Sequence, residues 1–342
     1  MNAIPPFAHL CEPAASLEDG HGRTVRYIRL SVTDRCNLRC KYCMPNGIEC
    51  VEHKDILSFE EIRQIAVCGA RLGITKIRLT GGEPLARKGC PELIRMLKEI
   101  PGIEKIAMTT NGTLVRAILP ELVEAGLDEI NISLDTLDPG RFAAITGQDL
   151  LPEVLLAIDA ALAAGLKVKV NAVSMPDTDW KRLITLAKDK PVDVRFIELM
   201  PIGEGRHSEG RSNEELLEEI RSEFSQLQAD DSVHGTGPAV YYRIPGYQGS
   251  IGLISAMHGK FCSSCNRVRL TSTGFLKTCL CYEDGTDLRE ILRGECVRQE
   301  AVSKNQKLLN AMARTIYGKP AEHCFEQPDQ ITEAHGMSAI GG

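Results

Sequence analysis

Between residues 25 and 201 the chain alternates short β-rich runs with stretches of helical period, six times over. The runs predict strands at 25–32, 76–79, 105–109, 129–134, 167–173 and 192–198. A helix at 58–72 opens with Ser58 and Glu61, the spacing of a capping box. Its apolar residues Ile62, Ile65, Ala66 and Leu72 recur at helical intervals. Further helical patterns cover 91–100, 119–125, 152–164 and 179–188, and Gly73, Gly126 and Gly165 stand where C-caps belong. Strand–helix alternation of this length argues for a parallel sheet with right-handed crossovers. Period alone does not choose between a closed barrel, an incomplete barrel and an open sheet. Polar or glycine motifs follow each strand, at 33–36, 80–84, 110–112, 133–135, Asn171 and 200–201. Because function in such folds gathers at the C-terminal strand ends, one site built from six ends is expected.

After Pro201 the pattern breaks. Residues 203–213 and 228–238 read as loops, 214–224 as a short acidic helix, 241–255 as strand and turn, and 288–292 and 302–316 as helices. With 43% hydrophobic and 25% charged residues, the bulk of the chain is expected to be globular. The apolar stretches, such as 154–162, are too short to span a bilayer. The first twenty residues hold Pro5, Pro6, three acids and no Lys or Arg, which is not a secretory leader, so a cytoplasmic location away from membranes is expected. A net charge of −6 does not suggest a nucleic-acid scaffold.

Thirteen cysteines are many for such a chain. Intracellular thiols stay reduced, so clustered cysteines point to metal or redox chemistry. Cys11, Cys50, Cys68, Cys90, Cys281, Cys296 and Cys324 fall outside the two obvious clusters and read as ordinary small residues. Cys36, Cys40 and Cys43 form C-x3-C-x2-C in the loop after the first strand. Four thiolates would close a metal centre, whereas three leave one position open for a substrate. A zinc site completed by His53 is the plainer alternative. Cys262, Cys265 and Cys279 form C-x2-C-x13-C, and by spacing alone Cys281 completes a zinc ribbon as well.

Residues 36–43, Cys-Asn-Leu-Arg-Cys-Lys-Tyr-Cys, resemble the signature loop of the radical S-adenosylmethionine superfamily. Gly81-Gly82-Glu83-Pro84, following a strand, resembles that superfamily's GGEP motif. The segment from Cys262 through Asn266-Arg267-Val268-Arg269-Leu270-Thr271 to Cys279 is similar to the GTP 3′,8-cyclase family of molybdenum cofactor biosynthesis. So are Ser31–Arg35, Ile145-Thr146-Gly147, Phe196–Pro201, Gly237-Pro238-Ala239 and the terminal Gly341-Gly342. Ile254-Ser255-Ala256 departs from the family, which commonly has proline third.

The resemblance implies an incomplete (β/α)6 TIM-like barrel of the radical S-adenosylmethionine type, closed by a C-terminal domain carrying a second iron–sulfur cluster. It divides the chain into an N-terminal extension (1–24), the partial barrel (25–202), the auxiliary-cluster domain (203–333) and a Gly-Gly tail (334–342). It implies two [4Fe–4S] clusters, on Cys36, Cys40 and Cys43 and on Cys262, Cys265 and Cys279, each with one open iron. S-adenosylmethionine falls to Tyr42, Gly82, Ser133 and Met200, and GTP to Arg29, Arg78, Thr109, Lys169 and Arg267, Val268 and Arg269. Arg195 joins the GTP set as a further basic residue inside a matched motif. An acidic chain needs such a local basic cluster to hold a triphosphate. Gly341 and Gly342 are expected to thread into the site and order it. In the implied reaction the adenosyl radical takes hydrogen from the ribose C3′ of GTP, and C3′ then bonds to guanine C8. An external electron donor and a downstream cyclic pyranopterin monophosphate synthase are the implied partners, and the resemblance leaves room for a homodimer. The rivals are a peptide-maturing radical enzyme with an auxiliary cluster and a zinc-stabilised binding protein without catalysis.

Overall fold

A computed structural model describes residues 17–47, 51–294 and 303–341. Six parallel strands form the centre, β1 (Tyr27–Ser31), β2 (Lys76–Thr80), β3 (Lys105–Thr110), β4 (Glu129–Ser133), β5 (Lys167–Ser174) and β6 (Asp193–Glu198), paired in chain order. Helices α1 (Phe59–Arg71), α2 (Cys90–Lys98), α3 (Val115–Glu124), α4 (Pro139–Thr146), α5 (Leu151–Ala163), α6 (Trp180–Leu183) and α7 (Thr185–Asp189) connect them. This is the partial (β/α)6 barrel. The Ser58 hydroxyl accepts from Glu61 N while the Glu61 carboxylate accepts from Ser58 N, so the capping box forms. The sequence did not mark α4, whose N-cap Asp138 accepts from Arg141 N. The single run expected at 179–188 divides at Ile184 into α6 and α7.

Among the described residues, those after β6 build no sheet of their own. After α8 (Asn213–Glu223), β7 (Gln228–Ala229), β8 (Val240–Arg243) and β9 (Ile251–Ile254) extend one edge, with β9 parallel to β6. At the other edge β10 (Arg267–Leu270) runs parallel to β1, followed by β11 (Phe275–Lys277) and β12 (Gly285–Asp287). The chain closes with α9 (Leu288–Arg293) and α10 (Lys304–Tyr317). The alternation of each central strand decides the rest. On β1, Ile28 and Leu30 are buried in the main core with α1 residues such as Ile62 and Ile65. Arg29, between them, takes the other face, where it lines a cavity. A second, smaller core holds Ile202, Leu280, Cys281, Cys324, Phe325, Ile331 and Ile340, and so packs the tail onto the cysteine-bearing loop.

Candidate active site

One cavity of about 380 Å³ occupies the concave face of the sheet, with walls drawn from all six parallel strands or the loops that follow them. Both cysteine trios lie in its wall, Cys36, Cys40 and Cys43 on the β1 loop and Cys262, Cys265 and Cys279 on the segments flanking β10 and β11. The cysteines of each trio interact electrostatically with one another. His53, the alternative fourth ligand of the first trio, is exposed and outside the cavity wall. Cys281 is fully buried in the small core with its Sγ 3.2 Å from that of Cys324, and it too lies outside the wall.

The first loop is held by glycine. A Cβ on Gly82 would lie 2.4 Å from the Arg35 carbonyl oxygen, so only a residue without one lets the β2 loop lie against the chain entering Cys36. Gly82 N and Glu83 N then donate to the carbonyls of Thr33 and Arg35 at 2.9 and 2.8 Å. The Glu83 carboxylate, fully buried, accepts from Leu85 N, Thr110 Oγ1 and Asn111 N at 3.0, 2.8 and 2.7 Å. Burial outweighs those bonds and raises its pKa to about 7. Tyr42 donates to Asp135 at 2.6 Å, and burial lifts the Asp135 carboxyl above its ordinary range. Burial also raises the Cys36 and Cys40 thiols, helped by Glu83 and Asp135 respectively, and it raises Cys43 to about 11.

The opposite wall is basic. Arg269, Arg29 and Arg78 stand in register on β10, β1 and β2, three guanidiniums side by side. Lys169 is opposite Asp193, and Arg195 is opposite Asn171, to whose Oδ1 it donates hydrogen bonds at 2.9 and 2.6 Å. Like charges directly across a sheet destabilise it. Burial and its basic neighbours hold Arg29 at about 10, hold Lys169 at about 7, and push Arg269 well down. Tyr27 is drawn to about 8 because Arg78, Arg29, Arg267 and Lys76 overcome its burial. Glu129 is the main compensation on this wall, 2.8 Å from Lys76 and 3.4 Å from Arg78. Arg267 Nε, Asn131 Oδ1 and Thr80 Oγ1 are buried without a partner, in residues that all line the cavity. A polyanion would relieve the repulsion and accept from Arg267 Nε and Thr80 Oγ1, whereas Asn131 Oδ1 calls for a donor.

The tail reaches the same place. Met337 and Ser338 line the cavity, and the Gly341 carbonyl accepts from Arg29 Nε at 3.3 Å and Arg269 Nη1 at 2.5 Å. Gly341 has φ +75°, and a Cβ there would meet Thr80 Oγ1 at 3.1 Å. Gly342 lies outside the described residues, as do Cys11, Cys50, Cys296 and the N-terminal sixteen residues. Tyr42, Gly82, Ser133, Met200, Arg29, Arg78, Thr109, Lys169, Arg195, Arg267 and Arg269 all line the cavity. Val268 is buried in the main core, not in the wall, because it alternates with its arginine neighbours. The sequence reading gave no role to Lys76, Glu129, Asp135 or Lys319, which also line it. Lys76 and Glu129 had a usable signal, since both fall at inward positions of predicted strands. Lys319 had none.

The radical SAM superfamily model matches residues 30–189, and the Molybdenum Cofactor Synthesis C model matches 192–325. A protein of Clostridium perfringens named GTP 3′,8-cyclase is 42% identical over 330 residues, covering 95% of this chain and 100% of that one. The protein of that name from Moorella thermoacetica is likewise 42% identical, over 95% of this chain and 100% of its own. The chain belongs to the GTP 3′,8-cyclase family. The fold is also that of Streptococcus suis SuiB, solved bound to S-adenosylmethionine, with a TM-score of 0.62 and 15% identity over 87% of this chain and 68% of that one.

Family membership supplies the cofactors, S-adenosylmethionine and two [4Fe–4S] clusters. The donor sets suit clusters. Among the described residues no three His, Cys, Asp or Glu side chains are grouped to hold a single ion. Thiolates that each bind a different iron of a cube stand farther apart than ligands of one ion. Neutral thiols are favoured by burial at Cys36, Cys40, Cys43 and Cys262, so a metal is what would keep them ionised.

Proposed function

We propose that this cavity is where the chain, a radical S-adenosylmethionine enzyme, converts GTP to (8S)-3′,8-cyclo-7,8-dihydroguanosine 5′-triphosphate, the first step of molybdenum cofactor biosynthesis. The observation that carries the reading is the arrangement of two cysteine trios and a row of arginines around one cavity. Cys36, Cys40 and Cys43 would hold the first cluster, and Cys262, Cys265 and Cys279 the second. Bound there, the first cluster and S-adenosylmethionine supply the radical that removes hydrogen from the ribose.

Tyr42, Gly82, Ser133 and Met200 hold S-adenosylmethionine on the first-cluster side. The GGEP turn, braced by Glu83, fixes that side's backbone. Arg29, Arg78, Arg267 and Arg269, with Lys169, Arg195 and Thr109, clamp the triphosphate and ribose. Gly341 orders two of those arginines and fills the space beside the sugar, which excludes water. Holding ribose C3′ and guanine C8 in near-attack geometry is worth several kcal/mol, up to about 7–11 in ideal cases. On this reading residues 25–202 form the radical and 203–333 hold the base. An external electron donor serves the first cluster, and the product passes to a cyclic pyranopterin monophosphate synthase, with both steps in the cytoplasm. Among the described residues no helix is long and apolar enough to cross a membrane.

Anaerobic turnover with GTP, S-adenosylmethionine and a reductant tests the reading. Release of 5′-deoxyadenosine that depends on GTP, together with a cyclised nucleotide, is the expected result. Release that is independent of GTP, with GTP unchanged, overturns it.

A further inference from the structure

Lys319 follows Gly318, the C-cap of α10, and is buried at 4% exposure in the cavity wall. Its Nζ donates to the Thr278 carbonyl at 2.6 Å, one residue before Cys279. Cys262, Cys265 and Cys279 line the same wall, and the ammonium acts electrostatically on Cys262 and Cys265. A single buried charge therefore stands beside the second trio.

The backbone around Lys319 is tied to the same trio. Arg23 donates to the carbonyls of Pro320, Ala321 and Cys262 at 2.6, 2.7 and 2.9 Å. Asp19 fixes that guanidinium at 2.6 Å. The segment after α10 and the loop that carries Cys262 are thus tied together, with Lys319 in the cavity wall beside the cysteines. The hydrogen-bond partner the structure gives the ammonium is a neutral carbonyl. A charge this deeply buried is unfavourable unless an opposite charge is near. Three thiolates around an iron–sulfur cluster would supply it, because such a cluster is anionic and its potential follows its net charge and the hydrogen bonds to its sulfurs.

We propose that Lys319 is the counter-charge and positioning residue of the second iron–sulfur cluster, raising its reduction potential through Cys262, Cys265 and Cys279. The inference rests on the proposed seating of that cluster on these cysteines. It is tested on the full chain carrying Cys36→Ala, Cys40→Ala and Cys43→Ala, reconstituted anaerobically with iron and sulfide and titrated by electron paramagnetic resonance. If this parent holds no cluster, the seating itself is wrong, a failure distinct from that of the Lys319 assignment. In a loaded parent, Lys319→Met should lower the reduced-to-oxidised ratio at the parent midpoint about tenfold, a shift of about 59 mV for one electron. Lys319→Arg should keep the parent value. Loss of iron from the Met variant with retention in the Arg variant also supports a counter-charge. An unchanged potential in Lys319→Met overturns the proposal, as does loss of iron from both variants. Weakened GTP binding with an unchanged potential reassigns Lys319 to the phosphates.

Discussion

The two cysteine trios share a plan and differ in their surroundings. The first has carboxyl groups beside it, with Glu83 acting on Cys36 and Asp135 on Cys40. The second has cations, with Lys319 and Arg267 acting on Cys265. Negative surroundings disfavour an added electron and suit a centre that must give one away. Positive surroundings suit a centre beside a bound anion. The first trio sits on a loop braced by a glycine turn inside the barrel. The second flanks β10 and β11 at the sheet edge, and the Arg267–Arg269 segment between its cysteines is a strand of the sheet. Similar triads thus acquire different tasks from the field around them.

The largest effects should come from breaking either trio. Serine at Cys36, Cys40 or Cys43 should abolish 5′-deoxyadenosine formation while about four irons stay bound, the complement of one [4Fe–4S] cluster. Serine at Cys262, Cys265 or Cys279 should leave the first cluster intact and stop GTP cyclisation. Cys281→Ser should change neither iron content nor turnover, since its thiol faces Cys324. Iron analysis and product assays on the set check this, and loss of second-cluster iron from Cys281→Ser but not from Cys279→Ser would reverse the ligand assignment.

Next in size is the tail. Removing Gly341 and Gly342 takes away the carbonyl that Arg29 and Arg269 share. Both clusters and the melting temperature should survive, while cyclisation falls severely. Full turnover in the deletion variant would return the tail to an ordinary frayed end. Arg269→Ala should weaken GTP binding about ten- to a hundred-fold, because a charge-assisted hydrogen bond contributes roughly 1.5–3 kcal/mol. Calorimetry against the cluster-loaded protein reads it directly, and normal affinity removes Arg269 from the site.

The smallest effect is a pH dependence. Burial and Arg195 hold Lys169 at about 7, so much of it is neutral above that pH in the free protein. A bound triphosphate stabilises the ammonium and raises that pKa, so GTP binding takes up a proton. Affinity should therefore fall as pH rises above about 7, by at most about tenfold per unit for one proton. Lys169→Met should flatten that slope. An equal slope in the variant assigns the proton elsewhere.

Much of this was legible in the sequence, for identifiable reasons. The six parallel strands were visible because each is a short apolar run closed by a polar motif. The row formed by Arg29 and Arg78 was half visible, as both fall at alternating positions of predicted strands. Its third member, Arg269, was expected at the site by resemblance, but its place beside Arg29 was not visible, because nothing local in Arg267–Leu270 says that this segment pairs with β1, some 240 residues earlier in the chain. Val268 entered the expected site only as a neighbour of two arginines, and strand alternation turns it into the core. Lys319 gave no signal, since its role depends on Arg23 and Thr278, both distant in sequence.

Seating the ribose toward the first trio and the base toward the second is the central claim, and GTP deuterated at C3′ tests it most directly. In anaerobic turnover the account predicts deuterium in the 5′-deoxyadenosine released. Unlabelled 5′-deoxyadenosine formed alongside cyclised product that keeps its deuterium would contradict it.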